Sequence, residues 1–197
     1  TWPTVRGENN IIRLQEEGGT FSYKSNLYTG NFKANYEIIE GLKLTGALAF
    51  RMRDDFNSMH TRAFDYYTNF PENTEETTLG QNSIKKESQK HFYGNYQFFI
   101  NYDKSFNLHN LNLLAGTSYI RENNDFLSGY RSGLPNGTLS EINAGSKNGQ
   151  ETTGNANQYG LLSYFARVNY DFAGKYLFEA NMRLDGSSQF KKSQRWS

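Results

Sequence analysis

Hydrophobic and polar residues alternate along this chain with period two, segment after segment. From 42 to 53 one face reads Leu42, Leu44, Gly46, Leu48, Phe50 and Met52, and the other Lys43, Thr45, Ala47, Ala49, Arg51 and Arg53. Upstream, Phe32, Ala34, Tyr36 and Ile38 interleave with Asn31, Lys33, Asn35 and Glu37. Downstream, Phe92, Gly94, Tyr96, Phe98, Ile100 and Tyr102 oppose Asn95, Gln97 and Asn101, and Leu111, Leu113, Ala115, Thr117 and Tyr119 form a fourth apolar face. A fifth face carries Leu162, Tyr164, Ala166, Val168, Tyr170 and Phe172, and a sixth Tyr176, Phe178, Ala180, Met182 and Leu184. The pattern predicts an all-β chain of about six antiparallel strands. Each apolar stretch is about 10–13 residues, enough for a tilted strand to cross a bilayer, whereas soluble strands average about 5–6.

The spacing of the strands adds a direction. Tight turns are predicted at Glu40-Gly41 and Ala173-Gly174, with a short link around 104–110. Between these lie two long polar stretches, 54–89 and 122–157. Connections that run short, long, short, long, short match a bacterial outer-membrane barrel, with short periplasmic turns and long extracellular loops. The fold expected is therefore a segment of a large transmembrane outer-membrane β-barrel, its apolar face against membrane lipid or lipopolysaccharide. The two long loops are expected at one rim. Tyr36, Tyr102, Tyr170, Phe172 and Tyr176 fall near the short turns, and Phe50, Phe92, Tyr119 and Tyr164 near the long loops. Two such rows suit the aromatic girdles at the membrane interfaces, although sheet-core aromatics would read the same way. Residues 1–27 are harder to place, because Phe21 and Tyr23 are out of phase with Tyr28 and Phe32. Either a bulge near 25–27 corrects the register, or the first strand begins after it.

Composition agrees with a barrel wall. Hydrophobic residues make up 36% of the 197, yet aromatics reach 16%, and a wall needs only one apolar face per strand. Net charge is +1 with both signs interspersed, which gives no electrostatic case for nucleic acid. There are no cysteines, hence no disulfide framework or thiolate metal site. No apolar run approaches the roughly 20 residues of a spanning helix. The chain shows no signal peptide, starts at Thr1 without Met and stops at Ser197 after a strand; it reads as an internal piece.

Catalytic chemistry finds little to stand on. The acidic pairs Glu16-Glu17, Asp54-Asp55 and Glu75-Glu76 lie outside the strand cores, where carboxylates are ordinarily just solvated. His60, His91 and His109 are scattered without metal-ligand spacing. Ser187 and Ser188 have no His nearby in sequence. Neither a phosphate loop nor any call for a cofactor is seen. Lys33, Glu37, Lys43, Arg51, Arg53, Arg167, Glu179, Arg183 and Asp185 would face the lumen, where pairing within the wall is the ordinary reading and contact with a plug or solute the sharper one. Tyr66, Tyr67, Phe70, Tyr130 and Arg131, placed in the long loops, are candidates for contact with a ligand or partner.

The last third carries a resemblance. Ser163-Tyr164-Phe165-Ala166-Arg167-Val168-Asn169-Tyr170-Asp171 leads through Gly174-Lys175-Tyr176-Leu177 to Arg183-Leu184-Asp185-Gly186-Ser187-Ser188-Gln189-Phe190 and Arg195-Trp196. This resembles the SusC/RagA-type TonB-dependent transporters of Bacteroidetes outer membranes, whose barrels carry S-Y-F-x-R-x-x-Y, then R-x-D-G-S-S-x-F and R-W. Gly133-Leu134-Pro135, Leu139 and Asn143-Ala144-Gly145 are similar to the loop before that hairpin. The resemblance implies that residues 1–197 are part of one barrel domain of about 22 strands, with plug and remaining strands elsewhere. It implies uptake of oligosaccharide or peptide cargo, a SusD-like lipoprotein partner, and energy from TonB through parts outside this segment. Arg183, Asp185, Gly186, Ser187, Ser188 and Phe190 are read as structural. A passive porin or adhesin barrel, or a soluble glycan-binding β-sandwich, are the alternatives.

Overall fold

The computed structural model describes residues 15–67 and 76–196. One six-stranded sheet holds β1 (Gly19–Ile39), β2 (Leu42–Thr61), β5 (Ser83–Phe106), β6 (His109–Ser132), β7 (Glu151–Phe172) and β8 (Tyr176–Ser187), in the order β1-β2-β5-β6-β7-β8. A two-stranded ribbon pairs β3 (Phe64–Tyr67) with β4 (Glu76–Leu79). Each sheet strand follows its sequence neighbour, apart from that ribbon, so the topology is a meander.

The strands are far longer than the apolar alternation that announces them. β1, β2, β5, β6 and β7 run for 21, 20, 24, 24 and 22 residues. The expected loops shrink accordingly, to 62–82 with its ribbon and 133–150. The reason is that hydropathy marks only where one face leaves water. Beyond residue 53, β2 continues as Asp54, Asp55, Asn57 and Ser58 with its ladder intact but no apolar face to betray it.

Two compact units can be recognised. The first draws on the described residues of 1–25, 54–89 and 125–155. Within it Leu134 N donates to Asn82 O at 3.3 Å, Lys86 Nζ pairs with Glu141 Oε2 at 3.0 Å, and a side chain at Gly137 would meet Arg62. The two long connections thus pack on one another, which puts them at one rim. Ile84 and Leu134, 0% and 4% exposed, are the buried hydrophobic residues among those described, and both belong here. Asp55 accepts from Tyr23 Oη at 3.0 Å and Ser25 Oγ at 2.6 Å. Tyr23 therefore lies on the polar side of its strand. Neither expected explanation of the Phe21–Tyr23 phase is required: β1 starts at Gly19, and its aromatics simply change face.

The second unit comprises Asn26–Arg53, Lys90–Asn124 and Ala156–Ser197. Its two faces are inverted relative to a soluble sheet. One carries stacked aromatic pairs that stand in solvent, Phe32–Phe50 at 6.4 Å and Tyr96–Tyr119 at 6.2 Å between centroids. The other carries polar links: Thr45 Oγ1 to Asn35 Oδ1 at 2.9 Å, Asn112 to Asp103, and Arg183 Nη2 to Ser163 Oγ at 3.1 Å. Thr45 and Ser163 are 2% and 1% exposed while Tyr36, Tyr176 and Met182 are 67%, 70% and 72% exposed. Leu44 and Leu48, alternating with Lys43, Thr45 and Ala47 on unbroken β2, lie on the aromatic side. The β7–β8 register pairs Tyr164 with Leu184, Ala166 with Met182, Val168 with Ala180, Tyr170 with Phe178 and Phe172 with Tyr176, so the expected apolar faces meet row by row.

Such a surface sets the behaviour of the isolated segment. It has two open edge strands and an apolar face with nothing beneath it, a combination that water does not tolerate. Residues 1–197 expressed alone should aggregate or require detergent. A monodisperse monomer melting cooperatively in plain buffer, seen by analytical ultracentrifugation and calorimetry, would contradict this.

Candidate functional site

The loop candidates do not converge on one site. Tyr66 and Tyr67 lie on β3, their backbones opposite Thr77 and Glu76 in the ribbon. Phe70 lies outside the described residues. Tyr130 and Arg131 are a correction: they belong to the end of β6, not to a loop. As strand neighbours they project to opposite faces and cannot grip one ligand together. Arg131 Nη2 donates to Gln150 Oε1 at 3.0 Å, and its Cβ would lie 2.7 Å from a side chain at Gly145, so it braces the 133–150 connection.

The same unit holds two perturbed groups outside the apolar stretches. Lys85 Nζ at 2.7 Å, then Asn57 Nδ2 at 3.3 Å, hold the Glu87 carboxyl below its ordinary range. Burial, then the charge of Arg62, lowers the pKa of His60 from its ordinary value near 6.5. His60 is 5% exposed, so the fold holds it neutral. The unfolded chain takes up the proton first, so this part of the fold is most stable above pH 6.5 and loses stability as pH falls below it. Hydrogen exchange of the intact protein in detergent should show faster opening around the end of β2 at pH 5.5 than at pH 7.5. The His60→Gln variant should flatten that difference; an unchanged slope would mean that another group sets it.

The terminal motif is architectural in its contacts. Arg183 Nε donates to Asp185 Oδ1 at 2.8 Å, and its Nη2 to Ser163. Gly186 lies beneath Trp196, whose ring atoms would stand 2.8 Å from a Cβ there, and Trp196 stacks on Tyr164 at 5.8 Å. Ser188 Oγ accepts from Gly160 N at 2.8 Å while Ser188 N donates to Gly160 O at 2.8 Å. Ser187 N donates to Arg195 O at 3.1 Å and Phe190 N to Ser187 O at 3.4 Å. The string D-G-S-S-x-F with R-W is thus a clasp that folds the chain after β8 back onto β7 and β8. Arg183, Asp185 and the serines are held by neighbours in the wall.

Near the short turns His109 is the centre of an aromatic cluster that sequence reasoning missed. Its Nδ1 lies 2.6 Å from Tyr170 Oη, and its ring packs on Phe106 at 5.0 Å and Phe172 at 4.9 Å. Phe172 in turn stacks on Tyr176 at 6.3 Å. With the Phe32–Phe50, Tyr96–Tyr119 and Tyr164–Trp196 pairs toward the other ends of these strands, two aromatic rows stand on the apolar face.

The polar face of the second unit carries a cavity of about 320 Å³ that sequence reasoning did not assemble. It is lined by Leu27 of β1, Arg51 and Arg53 of β2, His91, Phe92 and Tyr93 of β5, and Glu122 and Asn124 of β6. His91 Nδ1 meets Asn124 Oδ1, which fixes the imidazole against β6. A second cavity of about 490 Å³ shares Glu122 and Asn124 and continues to Asn157, Tyr159 and Gln189. Four strands supply the first cavity, so no window of sequence could show it. Among the described residues no group of His, Cys, Asp and Glu is arranged to hold a metal ion.

The comparisons with known proteins bear on this geometry. No family profile matches the chain. It is 30% identical over 179 residues to TonB-dependent receptor P3 of Formosa agariphila, covering 88% of this chain and 17% of that protein. It is 32% identical over 101 residues to TonB-dependent receptor SusC of Bacteroides thetaiotaomicron, covering 51% of this chain and 10% of SusC. All of it superposes on 21% of a chain from the RagAB peptide transporter, with TM-score 0.81 at 20% identity. The chain is a segment of a SusC/RagA-type TonB-dependent receptor. It spans less than a fifth of the length of the curated receptors it matches. Its sheet is a stretch of that receptor barrel, and the clasp motif falls where the resemblance in sequence is densest.

Proposed function

We propose that this receptor segment is wall of an active importer in a bacterial outer membrane. It takes up oligosaccharides or peptides with energy delivered by TonB, and works with a SusD-like surface lipoprotein. The observation that supports this best is the inverted sheet: aromatic residues on the face that would meet lipid, polar and charged residues on the face that would meet the lumen. Relatives named as TonB-dependent receptors, and a fold shared with a peptide transporter, favour energised import over a passive porin. The soluble sandwich has the structure against it, since two sheets packed face to face need a core of large apolar residues and the described residues bury only Ile84 and Leu134.

One experiment separates the parts of this reading. The full-length receptor is expressed with and without TonB, and labelled oligosaccharide and peptide pools are offered to cells. Accumulation should fall to background without TonB; equal accumulation in both strains would make the barrel a porin. In the same strains, replacing 64–79 or 133–150 by short Gly-Ser links tests the packed loops. Lipoprotein copurification should drop with a correctly inserted barrel, and unchanged copurification and uptake would make the loops passive cover.

A further inference from the structure

We infer that the cavity on the polar face is a subsite for a carboxylate carried by the cargo, held by Arg51 and Arg53; this rests on the import reading above. The two guanidiniums come from one strand at positions i and i+2, so both project to the same side about 7 Å apart. Both residues are exposed, and the cavity's only carboxylate is Glu122, so its lining is net cationic. Guanidinium matches a carboxylate with two parallel donors, which an ammonium cannot do. Tyr93 stands beside the pair, an amphipathic ring able to lie along a sugar face or a peptide side chain. His91 and Asn124 engage each other and close the wall on the β6 side. The volume of about 320 Å³ is that of a single sugar ring or one amino-acid residue, and suits a terminal group better than a long chain. The second cavity, reached past Glu122 and Asn124, is lined by Asn157, Tyr159 and Gln189 and takes the neutral part of the same ligand through hydrogen bonds.

A carboxylate of this kind has two sources, a peptide C-terminus or a uronic acid, and the test distinguishes them. The full-length receptor is purified in detergent and titrated by calorimetry with two matched pairs. One pair is a short peptide and its C-terminal amide; the other is a glucuronate-terminated disaccharide and its carboxyl-reduced form. One acid should bind at least about tenfold more tightly than its neutral partner, and that pair names the source. The double variant Arg51→Gln, Arg53→Gln should erase this preference while leaving the neutral partner's affinity unchanged. Arg51→Lys, which keeps the charge and loses the fork, should retain part of it. Equal affinity within both pairs, no binding of either acid, or a preference that survives in the double variant would each overturn the proposal. If the double variant fails to insert, the lysine variant alone decides: a preference left whole counts against the guanidinium fork. Should the acid preference stand while uptake proves independent of TonB, the subsite remains and the import reading falls.

Discussion

Replacing Gly41 by valine should leave the full-length receptor largely unassembled, with most of the protein migrating as the unfolded form on unheated gels. Gly41 ends the first hairpin at φ 82°, a left-handed conformation that costs an L-residue roughly 1–2 kcal/mol. Its position is also crowded, since a Cβ would lie 2.2 Å from the carbonyl oxygen of Asp103 in the adjacent strand β5. That contact is backbone and cannot rotate away. Moving apart would break the bond from Asp103 N to Gly41 O, now 2.7 Å, at a further cost of about 1 kcal/mol. Gly174 is the control, having φ 68° with nothing within 4 Å of its would-be Cβ. Gly174→Asn, which tolerates that conformation, should assemble nearly as wild type. Equal assembly of both variants would show that the turn is remade without the Asp103 contact.

The contrast shows how much a sequence can disclose. Glu40-Gly41 and Ala173-Gly174 are alike as turn signals, and both hairpins are where period-two counting puts them. What separates them is the neighbouring strand, and no count along one strand contains that. The six apolar faces are legible for the same reason the turns are, because lipid imposes a period on each strand singly. Where water bathes both faces the period vanishes, which is why Tyr130 and Arg131 read as loop though they lie on β6. Phe21 and Tyr23 read as an error of phase because an aromatic was taken to mark the apolar side, whereas Tyr23 reaches across to Asp55. Arg51 and Arg53 are legible as inward residues. Their cavity is not, because Leu27, His91 and Glu122 join it only through pairing of strands far apart in sequence. The clasp is intermediate. Its letters announce the family, but the reason for Gly186 is visible only with Trp196 lying over it.

Arginine in place of Phe98 should cost the assembled barrel roughly 2–4 kcal/mol, while arginine in place of Gln97 should cost little. Phe98 sits at the middle of the apolar run 92–102 on β5, 47% exposed, on the same side as Tyr96 with its Tyr119 partner. Gln97, one residue earlier, lines the polar face with Asn31, Lys33 and Asn95. The two positions share a strand, a depth and a sheet environment, and differ only in which way the side chain leaves the backbone. If the exposed aromatic face meets lipid, a guanidinium at 98 is placed in hydrocarbon and must snorkel or thin the bilayer. At 97 it enters a polar lumen. Urea titration of the full-length receptor folded into vesicles measures both, and the difference between the variants cancels any general effect of arginine on β5. The Phe98 variant should unfold at clearly lower urea, with the Gln97 variant near wild type. Equal midpoints would mean that Phe98 does not face hydrocarbon, and with it the membrane reading of the whole aromatic face would fail.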